Sequence, residues 1–523
     1  MLRGPKDVSM VAILIGSILF LMGFALSVGA QALPENWRVD QSLFPKAYGV
    51  LADEHLMHLV DVSNWPVKID NSRQFFVDDY LIASMTDLNR RIQPARKHPN
   101  NPLIIPEKPW EDKNCFFPFV FHDEKTGKFR MWYSGSSGFT HPITGEDVSW
   151  PGCYAESADG IKWTKPNLGL HVFRGFKENN IVIPEGGFFG LLYTPNDPDP
   201  NRQYKAMIRR FQNTPLEGYF LYISPDGIHW QREREERLIP SQYEQKLPVP
   251  GVGDTSIFRW DEHLKKYVGD IKILLPGEIR VRGMMESDDL IHWSRPRIVF
   301  YPDGLDDPNA QIYGHIGFFY ESMWIGLMRV MHNDFVPNSY KQTTIELTAS
   351  RDGRHWYRVG NRDQFIPLGQ PTEWDPHYLD ACTAPILVGD ELRFYYSSTP
   401  LWKDGRDKVG RIGLAILPRD RFVSLDAGNQ PGTVVTRPLT FAGKTLFVNA
   451  EVANSGYIKA ELRNGAGKPV STYTLDKCTP VCGDVLNAQV TWEDQKTIMH
   501  DPSQSLRVVF KLKNAKLYSF WIE

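Results

Sequence analysis

The sequence predicts an all-β chain: a five-bladed β-propeller followed by a C-terminal β-sandwich. Three observations predict it. First, one phrase keeps returning: SADGIKW at 157–163, SPDGIHW at 224–230, SDDLIHW at 287–293 and SRDGRHW at 350–356. Second, its tryptophans at 163, 230, 293 and 356 are spaced by 67, 63 and 63 residues. That period suits one four-stranded blade with generous loops and is too long for a solenoid repeat. Third, the region between the phrases holds short strand-like runs bounded by Gly, Asn, Asp and Pro, with no long stretch of 3.6-residue periodicity.

The elements follow in order. Residues 1–32 read as a signal peptide or N-terminal anchor. Arg3 and Lys6 precede a long apolar run, and Ala30 and Ala32 offer a small-residue cleavage site. Either reading places the rest of the chain outside the cytoplasm, secreted, periplasmic or at the cell surface. A membrane is a partner only if that segment is retained. Residues 33–72 form an N-terminal extension. The propeller spans 73–428. Its first unit reads FFPFVFHD, FRMWYSG and CYAESADGIKW, and its second GFFGLLYT, YKAMIRRF and GYFLYISPDGIHW. The third reads TSIFRWD, KYVGDIKIL and RVRGMMESDDLIHW, and the fourth IGFFYE, MWIGLMRVM and TIELTASRDGRHW. A fifth, ACTAPILVGD, ELRFYYSST and GRIGLAILPRDRFVSL, lacks the phrase and its tryptophan. FFVDDYLI, 75–82, is expected to close the ring against this last unit. Residues 429–523 alternate as short strands and form the sandwich.

The phrase itself reads as scaffold. Ser and Asp bond nearby backbone groups, Gly tolerates a tight turn, and Trp packs between blades. SDDLIHW shows that Gly is not obligatory.

Composition removes several classes of function. Lys plus Arg number 59 against 62 Asp plus Glu, a balance that argues against nucleic acid as a partner. Among the five cysteines, Cys478 and Cys482 flank a short turn and invite a pairing, with five buried thiols as the alternative. Nothing has zinc-ligand spacing, and EHLMH at 54–58 lacks the HExxH order, so no metal and no cofactor are expected.

The repeated S-x-D-[GL]-x-x-W turn, the secretion signal and the trailing β-domain resemble the glycoside hydrolases of families 32, 43 and 68. These are five-bladed propeller enzymes acting on fructosides, arabinosides and xylosides. SDDLIHW and NPLIIP at 101–106 are similar to family 32 segments. The resemblance implies a carbohydrate substrate and the propeller fold. Its catalytic motifs, W-x-N-D-P-N-G, R-D-P and E-C, are absent; KPWEDKN at 108–114 supplies Glu111 and Asp112 in the first blade instead. β-Fructosidase activity is therefore not carried over.

Glycoside hydrolysis needs two carboxyl groups, one held protonated and one that attacks or activates water. In a propeller, side chains at the start of each innermost strand converge on the axial funnel. That filter leaves Glu111, Asp254, Asp375 and Asp380 as candidate catalytic residues. Asp254 is the sharpest, because it opens an apolar strand where a charge needs a wet funnel. Candidate substrate-binding residues are Trp110 and Trp374 as sugar platforms, Arg282, Arg329 and His315 for hydroxyl or carboxylate groups, and Glu346 on an alternating strand. The paired acids of VDD, 77–79, are read as structural. Two other functions fit the same sequence: a glycan-binding propeller without catalysis, and a sialidase-like hydrolase, whose Asp-box is one residue longer.

Overall fold

The computed structural model describes residues 66–136, 150–210, 217–240, 252–275, 279–332, 342–398 and 409–523. The apolar N-terminal run and EHLMH lie outside the described residues. Within them the chain is all-β, with one helical turn at Pro200–Arg202.

Each sequence unit is an antiparallel meander. The first comprises Asn114–Asp123, Lys128–Ser136, Gly152–Ser157 and Ile181–Ile183. The second runs Gly187–Tyr193, Tyr204–Arg210 and Gly218–Ser224, with two short strands paired outside. The third is Ile257–Asp261, Lys266–Leu275, Ile279–Ser287 and Arg297–Phe300. It shares a sheet with the second through one parallel pair, Gly190 with Phe258. The fourth comprises Gln311–Tyr320, Met323–His332 and Gln342–Ser350, again with two short outer strands. The fifth uses Leu379–Asp380, Ile386–Val388, Glu391–Ser398 and Arg411–Pro418.

These strands are buried along nearly their whole length rather than on alternate residues, MWIGLMRVM of the fourth unit being the clearest case. Sheets covered on both faces select such continuous apolar runs. One apolar core accordingly extends through all five units.

The phrase builds an identical corner four times. In SPDGIHW, Ser224 Oγ accepts the Gly227 amide at 2.9 Å and donates to Asp226 Oδ1. That same Oδ1 accepts the amides of Ile228 and His229, each at 2.8 Å. The corner requires a left-handed residue at its centre: Gly160, Gly227 and Gly353 have φ of 72°, 75° and 71°. Leu290 takes φ 68° at the same place, a conformation a branched residue adopts only under constraint. Its side chain is fully buried. Corners also join neighbouring units. Trp132 Nε1 of the first unit donates to Gly227 O at 2.6 Å, and Tyr395 of the fifth donates to Gly160 O at 2.9 Å.

The N-terminal strands depart from expectation. Residues 74–75 pair with Phe520 and Ser519 of the C-terminal strand Leu506–Ile522, not with the fifth unit. Ile82–Thr86 pairs with Gly432–Thr436, and Asn89–Ile92 with Val423–Ala427. The strand that completes the fifth unit is Arg96–Lys97, paired with Ala415 and Ile416. The reason is apolar partnership: Val67, Ile69, Phe76 and Leu81 pack into a second core with Phe510, Leu512 and Trp492. Asp78 of VDD is buried and accepts both Arg351 nitrogens, at 2.8 and 2.9 Å, which ties this segment to the fourth corner. All five cysteines are unpaired; Cys482 is exposed and the other four are buried.

Candidate functional site

The repeat fixes where a shared layer of side chains must fall. Each phrase serine pairs with a residue of the second strand: Ser157 with Phe129, Ser224 with Tyr204, Ser287 with Tyr267, and Ser350 with Trp324. Five residues further along each second strand, at the end opposite the corner, stand Ser134, Arg209, Lys272 and Arg329. Three successive units thus place a cation at one register level. In the fifth unit, Ser397 pairs with Asp380 at its own strand end.

Tyr313, which lies near the start of the fourth unit's first strand, is the hub of this end. Lys272 Nζ lies 5.2 Å from its ring centre, Arg329 Cζ 5.8 Å and Arg280 Cζ 5.9 Å. Tyr378 of the fifth unit meets the same ring edge-on at 6.1 Å. Lys272 is ion-paired with Asp254, and Arg329 with Asp380. Four residues separated widely in sequence therefore arrive as two ion pairs beside one aromatic ring. Asp254 keeps 29% of its side-chain surface, whereas Asp380 keeps 1%.

Burial sets the electrostatics. It pushes the Asp380 carboxyl up to about 6, against the opposing pull of Arg329 and Arg282. It drives Lys272 well below the ordinary lysine range, and the crowd of Arg280, Arg282, Arg209 and Arg329 adds to the effect. Arg282 falls to about 9, through burial and then Arg329.

The sequence candidates divide into two sets. Asp254, Arg282, Arg329 and Asp380 are brought to this end. Arg282 serves there as a clip: it donates to Thr255 O at 2.8 Å, Asp270 O at 3.0 Å and Tyr313 O at 3.1 Å, joining the third and fourth units. His315 is a neighbour in the core rather than a ligand-facing group. Its Nδ1 donates to Asp270 at 2.8 Å, and its Nε2 accepts the Thr348 hydroxyl at 2.9 Å. Despite burial, Arg259 and His315 hold Asp270 below the usual carboxylate range; burial holds His315 below its usual value, and the Asp270 carboxylate beside Nδ1 selects this tautomer.

The other candidates lie in separate networks. Glu111 is fully buried, accepts the amides of Glu107 and Lys108 and the Tyr133 hydroxyl, and pairs with Lys165 at 2.8 Å. Trp110 is 4% exposed and its Nε1 donates to Asn180, so it presents no face to a sugar. Asp375 is buried against Lys97 at 2.7 Å and the Tyr396 hydroxyl at 2.8 Å, while Trp374 stacks on Tyr396. Glu346 is gripped by Arg358, which also holds Asp306. These networks are built from partners other than Tyr313, Lys272 and Asp380.

Sequence reasoning missed Lys272, Arg209, Arg280, Tyr313 and Tyr378. The signal was present: YKAMIRRF, KYVGDIKIL and MWIGLMRVM each place a cation near the end of an apolar second strand. The search picks out Arg329 of the last segment, but its filter for acids at first-strand starts passes over the matching cations of the other two.

No family model matches the chain, and no curated protein matches it closely enough to count as a relative. Among solved structures it is similar to a glycosyl hydrolase from Bacteroides ovatus at 13% identity, over 63% of this chain and 95% of that one, with a TM-score of 0.43. It is similar to BT0996 in its RGII complex at 14% identity, over 65% and 94%, with a TM-score of 0.42. It is also similar to an N-acetylgalactosamine deacetylase from F. plautii in complex with blood group B trisaccharide, at 16% identity, over 64% and 96%, with a TM-score of 0.40.

Proposed function

We propose that the five meanders form a five-bladed β-propeller with the Tyr313 cluster at its axial mouth, followed by a C-terminal β-sandwich. On this reading the protein is a secreted or cell-surface glycoside hydrolase that cleaves a glycosidic bond in a poly- or oligosaccharide. The observation that carries the reading is the unequal pair of carboxyl groups. Asp380, raised to about 6 by burial, is the group suited to hold a proton and deliver it to the leaving oxygen. Asp254 is the more open carboxyl and is ion-paired with Lys272. It is suited to attack the anomeric carbon or to take a proton from water. Tyr313 and Tyr378 supply aromatic surface for a sugar ring.

A second reading has its own support. Asp380 is almost fully enclosed and already faces Arg329, which fits a propeller that holds a glycan without cleaving it. One experiment separates the two. The full-length protein is assayed against aryl glycosides and plant and algal polysaccharides, alongside Asp254→Asn. Hydrolysis predicts a substrate whose turnover falls by roughly 10²–10⁴ in the variant. Turnover that survives Asp254→Asn unchanged removes the catalytic assignment; binding with no turnover in any case leaves the second reading.

A further inference from the structure

Among the described residues, cations outnumber carboxylates around Tyr313. Among the described residues, Lys272 and Arg329 each form one ion pair, with Asp254 and Asp380; Arg282 forms none but feels the Asp270 and Asp380 carboxylates, and Arg280 has no carboxylate partner. Arg280 donates to the amide oxygen of Gln311, a neutral group. Arg282 donates to the Thr255, Asp270 and Tyr313 carbonyls and to the Thr255 hydroxyl. Among the described residues, four cations therefore stand against three carboxylates, Asp254, Asp270 and Asp380, and Arg280 is the cation with no carboxylate of its own. The surplus is local, because the chain as a whole carries a formal charge of −3. Gathering like charges away from water is costly unless an anion joins them. Burial first, and that crowding second, depress Lys272.

We infer that the saccharide taken at this mouth is anionic, with a sugar carboxylate or a sulfate ester group seated on Arg280 beside Lys272 and Arg329, and its ring against Tyr313. The inference rests on the reading of this cluster as the saccharide site. Arg280 is the natural receiver. It is only partly buried, as is Tyr313, whereas Lys272, Arg282 and Arg329 are almost wholly enclosed. Its planar fork matches the paired oxygens of a carboxylate or sulfate. A neutral glycan would be served by amides, hydroxyls and aromatic faces, and would leave Arg280 without an anionic partner.

The test measures binding directly, by calorimetry with the full-length protein. The probes are matched pairs: oligogalacturonate and its methyl ester, and a sulfated galactan oligosaccharide and its desulfated form. The expected result is that one charged probe binds at least about tenfold more tightly than its neutral counterpart, the size of one charge-assisted hydrogen bond. That preference shrinks as salt rises, and the winning pair tells carboxylate from sulfate. Arg280→Gln then reduces affinity for the charged probe about tenfold at unchanged Tm, and Arg280→Lys restores part of it. Equal binding of charged and neutral partners, no binding of either charged probe, or an unchanged charge preference in Arg280→Gln would each overturn the inference. Turnover is followed in parallel. A charged probe bound without cleavage sinks hydrolysis and spares the inference; cleavage of a neutral glycoside alone does the reverse.

Discussion

Glu111 in the first unit and Asp380 in the fifth are equally withdrawn from water, and their surroundings treat them differently. Glu111 receives two backbone amides, a tyrosine hydroxyl and a lysine. Asp380 receives one arginine, and burial carries its carboxyl up to about 6. The first is tied into the architecture by four donors, three on one oxygen and one on the other. The second is under-supplied, and an under-supplied carboxyl is one that can hold a proton near neutral pH. Enclosure alone does not mark a reactive group; the number of donors that reach it does.

That contrast can be broken at several points. The largest expected effect is on chemistry. Asp380→Asn should lower turnover by roughly 10²–10⁴, the range for loss of a general acid. Glu111→Gln should leave turnover per folded molecule near the starting value. Comparable losses in both variants, measured as kcat on one glycoside, would erase the distinction. Next in size is stability. Glu111→Ala takes the acceptor from the buried Tyr133 hydroxyl and the nearest carboxylate from Lys165, and should cost about 3–5 kcal/mol, read from the urea midpoint of the full chain.

The third test uses pH. A carboxyl raised in the folded state binds its proton more tightly there than in the unfolded chain. Its contribution to stability is therefore complete below about 4 and disappears as pH rises through about 6. The stability difference between the natural protein and Asp380→Asn should follow that curve. A difference that stays flat from pH 4 to 7 would mean that Arg329 keeps Asp380 ionised throughout. The smallest effect belongs to the corners. Asp289→Ala removes the oxygen that accepts the Ile291 and His292 amides and should cost about 1 kcal/mol, with activity retained. A larger loss would mean that the corner also restrains Leu290.

Much of the fold is legible in the sequence, because the repeat is local. Strand, turn and phrase follow one another within each unit, and period, turn chemistry and apolar runs all point the same way. The strained centre of the third corner is harder to read. Leu290 occupies a position that three glycines fill elsewhere, and only the Ser287 and Asp289 bonds explain how it is held. The site is half legible. Asp254 and Asp380 follow from the search for acids at strand starts. Glu111 satisfies the same search, and its role depends on Lys165, a residue 54 positions later that no local pattern connects to it. Trp110 looks like a platform beside an acid until its burial is seen. Lys272, Arg280 and Tyr313 gain their meaning only from proximity across units, which spacing along a chain does not reveal.

The placement of residues 66–92 has a consequence for biogenesis. Their strands pair with Val423–Ala427, Gly432–Thr436, Leu439–Thr440 and Leu506–Ile522, so the first described strands acquire their neighbours only after all five meanders have been synthesised. A chain emerging from the ribosome carries these early edges open through the making of every intervening meander, a period in which exposed strands are prone to mispair. Chaperone custody during synthesis would be most needed there, and truncation of the final strand would also free residues 74–75 from their pairing.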